Sequence, residues 1–141
     1  MSKYSFTYPS VAESVEAALD DLQVVLDRHD IEVGLGRKVL LVLSEAVTNA
    51  VVHGNGGDDS KQINVLLAVN ETEIVADIID QGKDGINQIR GKRPAALDAE
   101  SGRGVDLMRH FASDVRFAET GEGGLRATVV FEIEKEIARN N

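Results

Sequence analysis

Two strand-like segments joined by only three residues constrain the fold of this chain more than any other feature. Residues 62–69 and 73–79 are rich in branched aliphatic side chains, and Asn70-Glu71-Thr72 connects them. A short polar connection between two such segments is typical of a hairpin, in which the strands run antiparallel. The sequence therefore predicts a sheet that contains this hairpin.

Helical periodicity precedes the hairpin. Apolar residues recur at the spacing of a buried helix face in residues 11–29 and again in residues 34–52. Ser10 and Glu13 have the spacing of a capping box at the start of the first helix. Gly54 stands where a C-cap glycine would end the second helix.

The remaining segments complete an α+β pattern. Residues 4–8 alternate aromatic and small polar side chains like a short strand, and residues 81–101 form a long loop without clear periodicity. A short helix is expected over residues 104–112, followed by a hairpin of strands 115–118 and 125–134. This order predicts a two-layer sandwich, in which helices cover one face of a mostly antiparallel, mixed sheet.

Composition excludes several classes of protein. The 141 residues fit a single domain spanning residues 1–141. Because 24 acidic residues outnumber 15 basic ones, the net charge is −9, which argues against direct binding to nucleic acid. The absence of cysteine excludes disulfides, thiol nucleophiles and cysteine-ligated metals. We find no signal peptide and no segment of membrane-spanning length, so we expect a cytoplasmic protein without membrane contact.

The second predicted helix carries a polar stripe. Glu45, Asn49 and His53 follow one another at intervals of four residues and so lie on one side of the helix. The stripe is interpreted either as a solvated face or as a site for a metal ion or phosphate. An Asn carbonyl oxygen is a suitable ligand for Mg²⁺, and a nearby Glu can deprotonate a hydroxyl group.

A carboxylate follows the second hairpin strand. Asp80 ends a segment that looks buried, and Gly82 comes two residues later. The pattern is common in turns. Its functional interpretation is a carboxylate that accepts a hydrogen bond from an exocyclic amine, beside a glycine that lets a planar ring approach the backbone.

Two glycines flank an arginine at the start of the third predicted helix. Gly102 and Gly104 expose backbone N–H groups where the helix dipole favours an anion, and the Arg103 fork suits phosphate oxygens. A simple loop and helix cap explains the pattern equally well. The preceding loop contains four basic side chains: Lys83, Arg90, Lys92 and Arg93. They are interpreted either as part of a solvated loop or as a positively charged funnel that attracts a polyanion.

The order of these motifs resembles a known superfamily. The phrase LSEAVTNAVVHG at residues 43–54, followed by Asp80-x-Gly82 and by SGRGVDLMR at residues 101–109, is similar to the GHKL ATPases. More closely, it resembles the anti-sigma-factor serine/threonine kinases of bacteria, to which Asp114-Val115 also conforms. The resemblance spans nearly the whole chain and implies the GHKL ATPase fold.

The resemblance implies roles for individual residues. Asn49 would bind Mg²⁺ that bridges the ATP phosphates, and Glu45 would be the general base for a partner's serine hydroxyl. Asp80 would accept from the adenine amino group, Gly82 would flank the ring, and Thr128 would reach the adenine from the last strand.

It also implies a phosphate-binding segment. Residues 84–101 would form the ATP lid, and Gly102, Arg103 and Gly104 would meet the phosphates, with Arg103 nearest the terminal one. His53 matches the motif, and we expect it to serve packing or to support its neighbours rather than to act in catalysis.

At the level of function, the resemblance implies a serine kinase that depends on ATP and Mg²⁺ and is also an anti-sigma factor. It would hold a sigma factor or another regulator, phosphorylate a STAS-type anti-anti-sigma protein, and form a homodimer. The alternative is a non-catalytic, nucleotide-gated binding module that sequesters such a regulator. A histidine-kinase catalytic domain is disfavoured, because no long dimerisation helices with an acceptor histidine precede the motif.

One position departs from the family pattern D-x-G-x-G. Asp84 occupies the place of the second glycine, and Gly85 follows it. A carboxylate here would weaken nucleotide binding or reshape the lid, which keeps the binding module open as an alternative. The presence of Glu45 favours the kinase.

Overall fold

The structure is a computed structural model that describes residues 1–82 and 101–134, with residues 101–103 described by their backbone. The chain forms five strands and three helices within these ranges. In chain order they are β1 (Ser2–Pro9), α1 (Glu13–Arg28), α2 (Val33–Asn49), β2 (Gln62–Val69), β3 (Glu73–Ile79), α3 (Ser101–Phe111), β4 (Asp114–Glu119) and β5 (Leu125–Glu132).

The five strands form one sheet in the order β1-β2-β3-β5-β4. The predicted α+β class is confirmed, and so is the hairpin of β2 and β3. The sheet is more uniform than the mixed sheet we expected, because every pairing among the described strands is antiparallel. The chain order explains this: β4 runs along the edge before β5 turns back between β4 and β3.

The alternation of side chains along the strands separates the two faces of the sheet. Ile63, Ile78, Val129 and their neighbours on one face are at most a few per cent exposed and pack with the helices in a single core. Asp77 and Thr128, which are Cα partners in the β3–β5 ladder, lie on the opposite, outer face.

Helix α2 is central to the helical layer. It contacts both α1 and α3, and its core positions are almost fully buried: Val39, Val42, Leu43, Ala46 and Val47. Because this apolar side is fixed in the core, the polar stripe of α2 is held at the surface between the helices. No helix in the described ranges is long and apolar enough to cross a membrane.

Two predicted helix ends are wrong. The capping box does not form: α1 begins after Ala12, which cannot cap, and the Ser10 hydroxyl instead accepts a hydrogen bond from Asn55. Gly54 is not a left-handed C-cap. The helix continues past Asn49 as a π-helical turn, Ala50–Gly54, closed by the Asn55 N–H to the Ala50 carbonyl at 2.8 Å.

Candidate functional site

Helices α2 and α3 meet at a glycine. A Cβ atom added to Gly104 would stand 2.9 Å from Oε2 of Glu45 and 3.5 Å from Nδ2 of Asn49. The missing side chain therefore lets the first turn of α3 approach a carboxylate and an amide on α2. The structure thus brings together three of the residues singled out in the sequence. His53 is exposed to solvent, which contradicts a packing role, whereas the alternative that it supports its neighbours stays a prediction.

Asp80 lies at the end of β3 and is only 5% exposed. Its Oδ1 accepts hydrogen bonds from the backbone N–H groups of Gly82 at 2.9 Å and Leu125 at 3.0 Å. Burial raises the pKa of the Asp80 carboxyl, and these two bonds and the charge of Lys61 only partly oppose that increase. Its Oδ2 accepts no hydrogen bond from the part of the chain that the structure describes, and it lies against Gly54.

Three glycines allow the backbone to close around Asp80. A Cβ on Gly54 would overlap the Asp80 carboxylate, and a Cβ on Gly82 would overlap the Gly54 carbonyl oxygen. A Cβ on Gly124 would overlap the carbonyl oxygen of Asp80 itself. The end of α2, the end of β3 and the start of β5 therefore meet without side chains between them. The structure thus gives Gly82 a close contact with Gly54, which the sequence analysis did not predict.

The structure does not bring Thr128 into this group. Its side chain lies on the outer face of the sheet, where its hydroxyl donates to Oδ1 of Asp77. The strand β5 residue that reaches Asp80 is Leu125, through its backbone N–H. The structure therefore does not bring the Thr128 side chain to Asp80, because alternate residues of a strand point to opposite faces. That Thr128 reaches the adenine stays a prediction.

The predicted phosphate segment is described in part. Helix α3 begins at Ser101, three residues earlier than expected, so Gly102 and Arg103 belong to its first turn. The Arg103 side chain and most of the predicted lid, including Asp84, lie outside the described residues. The first-turn N–H groups of a helix have no partners within the helix and favour an anion.

Sequence reasoning missed three residues that shape this site. Asn55 was placed in a loop, yet it is 2% exposed and bonds the residue that follows Asp80. Gly124 and Leu125 were assigned only to the last hairpin. The doubled glycine before β5 was the available signal for Gly124, whereas a buried Asn in a Gly-rich segment gives no local signal.

Taken together, the site offers two kinds of recognition. At one end, a half-buried carboxylate and amide face the start of a helix, which suits a metal ion and anionic oxygens. At the other end, a buried carboxylate has one oxygen committed to backbone donors, which suits a ligand that brings its own N–H donor.

A family model for the histidine kinase-like ATPase domain matches residues 8–131 of the chain. The chain belongs to this family. The resemblance stated from the sequence is therefore confirmed, and membership of an ATPase family implies that the chain binds a nucleotide.

Similar proteins include several named anti-sigma F factor. The one from Pasteuria penetrans is 31% identical over 106 residues, which cover 71% of this chain and 68% of that protein. The one from Shouchella clausii is 22% identical over 120 residues, which cover 82% of both chains.

Two solved structures share the fold. The RsbU and RsbW domains of Rv1364c from Mycobacterium tuberculosis match with a TM-score of 0.72 and 20% identity, over 96% of this chain and 33% of that one. The SiaB-SiaC complex from Pseudomonas aeruginosa matches with a TM-score of 0.56 and 19% identity, over 92% of this chain and 89% of that one. This chain thus spans about a third of the mycobacterial one.

Proposed function

We propose that this histidine kinase-like ATPase domain is a serine kinase that uses ATP and Mg²⁺ and acts as an anti-sigma factor. The observation that carries the proposal is the approach of Glu45 and Asn49 to Gly104 at the start of α3. This arrangement joins a base, a hard oxygen ligand and a helix N-terminus, which together suit phosphoryl transfer to an alcohol.

Each residue then has a distinct task. The Asn49 carbonyl oxygen would ligate Mg²⁺, and the N–H groups of Gly102 and Gly104, with Arg103, would hold phosphate oxygens. Asp80 would accept from the adenine amino group, beside Gly82. Bound Mg²⁺–ATP supplies the phosphoryl group and neutralises its charge.

Glu45 would take the proton from the attacking serine hydroxyl. Its half-buried position at the Gly104 contact leaves the carboxylate accessible to a partner while it is held near the start of α3.

The names of the similar proteins support the choice of partners. Relatives are named anti-sigma F factor, and the solved neighbours hold an RsbW domain and a SiaB-SiaC complex. The proposed partners are a sigma factor or another regulator, and a STAS-type protein as the serine substrate. A homodimer is also proposed, for which light scattering should give twice the 15.2 kDa mass of one chain.

The decisive experiment separates chemistry from assembly. Proteins retained from a source lysate with and without ATP–Mg²⁺ would be identified by mass spectrometry, and phosphoserine on the retained STAS protein would be followed under single-turnover conditions. The Glu45→Gln variant should keep ATP and partner binding and lose about 10²–10³ in rate, the lower half of the usual range for a general base. Asn49→Ala should lose both Mg²⁺-dependent ATP binding and transfer.

The matched control is Glu132→Gln, which changes an exposed carboxylate at the end of β5 and should transfer phosphate like the wild type. If Glu45→Gln transfers as fast as the wild type, Glu45 is not the base. If the wild type binds ATP and its partner but transfers nothing, the second candidate, a nucleotide-gated binding module, is correct.

A further inference from the structure

A buried amide lies behind the Asp80 segment. Asn55 is 2% exposed, and both the nitrogen and the oxygen of its side-chain amide form hydrogen bonds. Its Nδ2 donates to Oγ of Ser10 at 3.0 Å and to the Gln62 carbonyl at 3.2 Å. Its Oδ1 accepts from the Gln81 N–H at 2.8 Å. The Gln62 carbonyl can only accept, so it fixes which end of the amide is Nδ2.

The bond to Gln81 acts directly on Asp80. The Gln81 N–H belongs to the peptide group that joins Asp80 to Gln81. The peptide group on the other side of Asp80 is also held, because the Asp80 N–H donates to the Leu125 carbonyl at 3.0 Å. The Cα atom of Asp80 is therefore fixed from both sides, by the β5 backbone on one and by the Asn55 side chain on the other.

Asn55 is in turn fixed by three separate elements. Its own N–H closes the π-helical turn on the Ala50 carbonyl, and its amide group reaches Ser10, which follows β1, and Gln62, which begins β2. A side chain held this firmly transmits the position of the sheet and of α2 to the Asp80 peptide. A shorter or apolar side chain would leave the Gln81 N–H, which is partly buried at this bond, without this acceptor.

We propose that Asn55 is a positioning residue that aims the Asp80 carboxylate and thereby sets the preference for a purine with an exocyclic amine. The inference rests on the proposed nucleotide site and adds to it a residue outside the ligand's reach. The orientation of the Asp80 carboxylate matters for its contact with the amine, because a hydrogen bond weakens steeply when donor and acceptor are misaligned.

The test compares ATP with ITP, which carries a carbonyl oxygen where ATP has the amine. The wild type should bind ATP about tenfold or more tightly than ITP by calorimetry, because only ATP carries the exocyclic amine that would donate to Asp80. Asn55→Ala should reduce that ratio to about twofold or less, chiefly through weaker ATP binding. A residue that only stabilised the fold would lower the affinity for both nucleotides and leave their ratio unchanged.

Ser10→Ala is the matched control. It removes one partner of the Asn55 amide but leaves the bond to Gln81, so stability should fall while the ATP-to-ITP ratio stays at the wild-type value. If Asn55→Ala does not fold, Asn55→Ser tests the same point, since its hydroxyl oxygen is one atom closer to the backbone than the Oδ1 that Gln81 uses, and it should lower the ratio in the same way. A folded Asn55→Ser variant that keeps the wild-type ratio would overturn the inference.

The outcomes separate this inference from the proposed function. A wild type with no preference for ATP over ITP removes Asp80 from the amine contact and thus overturns the nucleotide assignment. A wild type with the preference, together with a folded Asn55→Ala variant that keeps it, overturns the role of Asn55 alone.

Discussion

Asp77 and Asp80 lie close together on β3 and at its end, yet their carboxylates have opposite environments. Asp77 is on the outer face of the sheet, where Arg126 donates through Nε at 3.1 Å and Nη2 at 2.9 Å, and Thr128 donates its hydroxyl. Burial alone would raise the pKa of Asp77, but the bonds from Arg126 and Thr128 outweigh it and lower the pKa. Within the described residues, Asp80 has only backbone donors, both on one oxygen, and its pKa is raised.

The two carboxylates therefore differ in role: one serves the fold, and the other can bind a ligand. Asp77 has both a cation and a hydroxyl as hydrogen-bond donors, so it stabilises the sheet without a ligand. The buried Asp80 carboxylate is costly to ionise, because the charge of Lys61 offsets only part of the effect of burial, and a ligand that brings a donor lowers that cost. The four predictions below test this distinction, from the largest expected effect to the smallest.

The Asp80→Asn variant should lose ligand binding without losing stability. The Asn oxygen can accept from Gly82 and Leu125 as Oδ1 does now, but an NH₂ group would replace Oδ2 and face the adenine amine. Losing a hydrogen bond to a charged group costs about 1.5–3 kcal/mol, so ATP should bind about tenfold or more weakly by calorimetry. Asp77→Asn is the control and should bind ATP like the wild type. Equal affinity in the two variants would remove Asp80 from the adenine site.

The Gly54→Ala variant should disturb the packing around the Asp80 carboxylate. Its new methyl group would overlap the Asp80 carboxylate, and the resulting overpacking should lower the free energy of unfolding by about 1–3 kcal/mol. The control is Gly121→Ala, because that glycine has an ordinary φ and nothing within 4 Å of an added Cβ. Urea denaturation measures both. Similar stability in the two variants would show that the Gly54 contact is not tight.

The Asp77→Asn variant should cost stability alone. It removes the charge that faces Arg126, whose side chain is 46% exposed, so solvent screening limits the loss to about 1 kcal/mol. Urea denaturation at neutral pH should detect this loss. A variant as stable as the wild type would mean that the outer-face network contributes nothing to the fold.

The contributions of Asp77 and Asp80 to the free energy of unfolding should change with pH in opposite directions. The lowered pKa of Asp77 means that its carboxylate stabilises the folded state above the ordinary Asp pKa, and that this contribution disappears as pH falls through the lowered value. The raised pKa of Asp80 means that its carboxylate destabilises the folded state above the raised value, and that this penalty disappears as pH falls towards the ordinary value.

Urea denaturation from about pH 7 to about pH 3 would show this. As the pH is lowered, the wild-type stability minus that of Asp77→Asn should fall. The wild-type stability minus that of Asp80→Asn should rise instead, and this change should come earlier in the acidification, because the pKa of Asp80 is the higher one. Parallel changes in the two differences would contradict the distinction between the carboxylates.

Much of the fold could be predicted from local sequence patterns. The bounds of β2 and β3 match to the residue, because strong alternation and a three-residue connection leave little freedom. The end of α2 could not be predicted, because local spacing does not show the π-helical turn and because Gly54 meets Asp80, a residue distant in sequence. The role of Asn55 could not be predicted either, because its partners Ser10 and Gln81 are distant from it in sequence.

The candidate site divides in a similar way. Glu45 and Asn49 share a helix face, so spacing alone predicted their proximity, and Asp80 was marked by its place after a buried strand. The Thr128 side chain lies on the outer face of the sheet, and the buried neighbours Ala127 and Val129 on β5 carry the signal for that orientation.

The order of the strands has a consequence for protein synthesis. Strand β5 is the last described strand in sequence, but it lies between β3 and β4. A nascent chain that stops before Leu125 lacks both partners that β5 gives to Asp80, the Leu125 carbonyl and the Leu125 N–H. One edge of β3 is then also unpaired, which exposes the growing chain to chaperones and to aggregation. The Asp80 site therefore cannot be complete before Leu125 has left the ribosome.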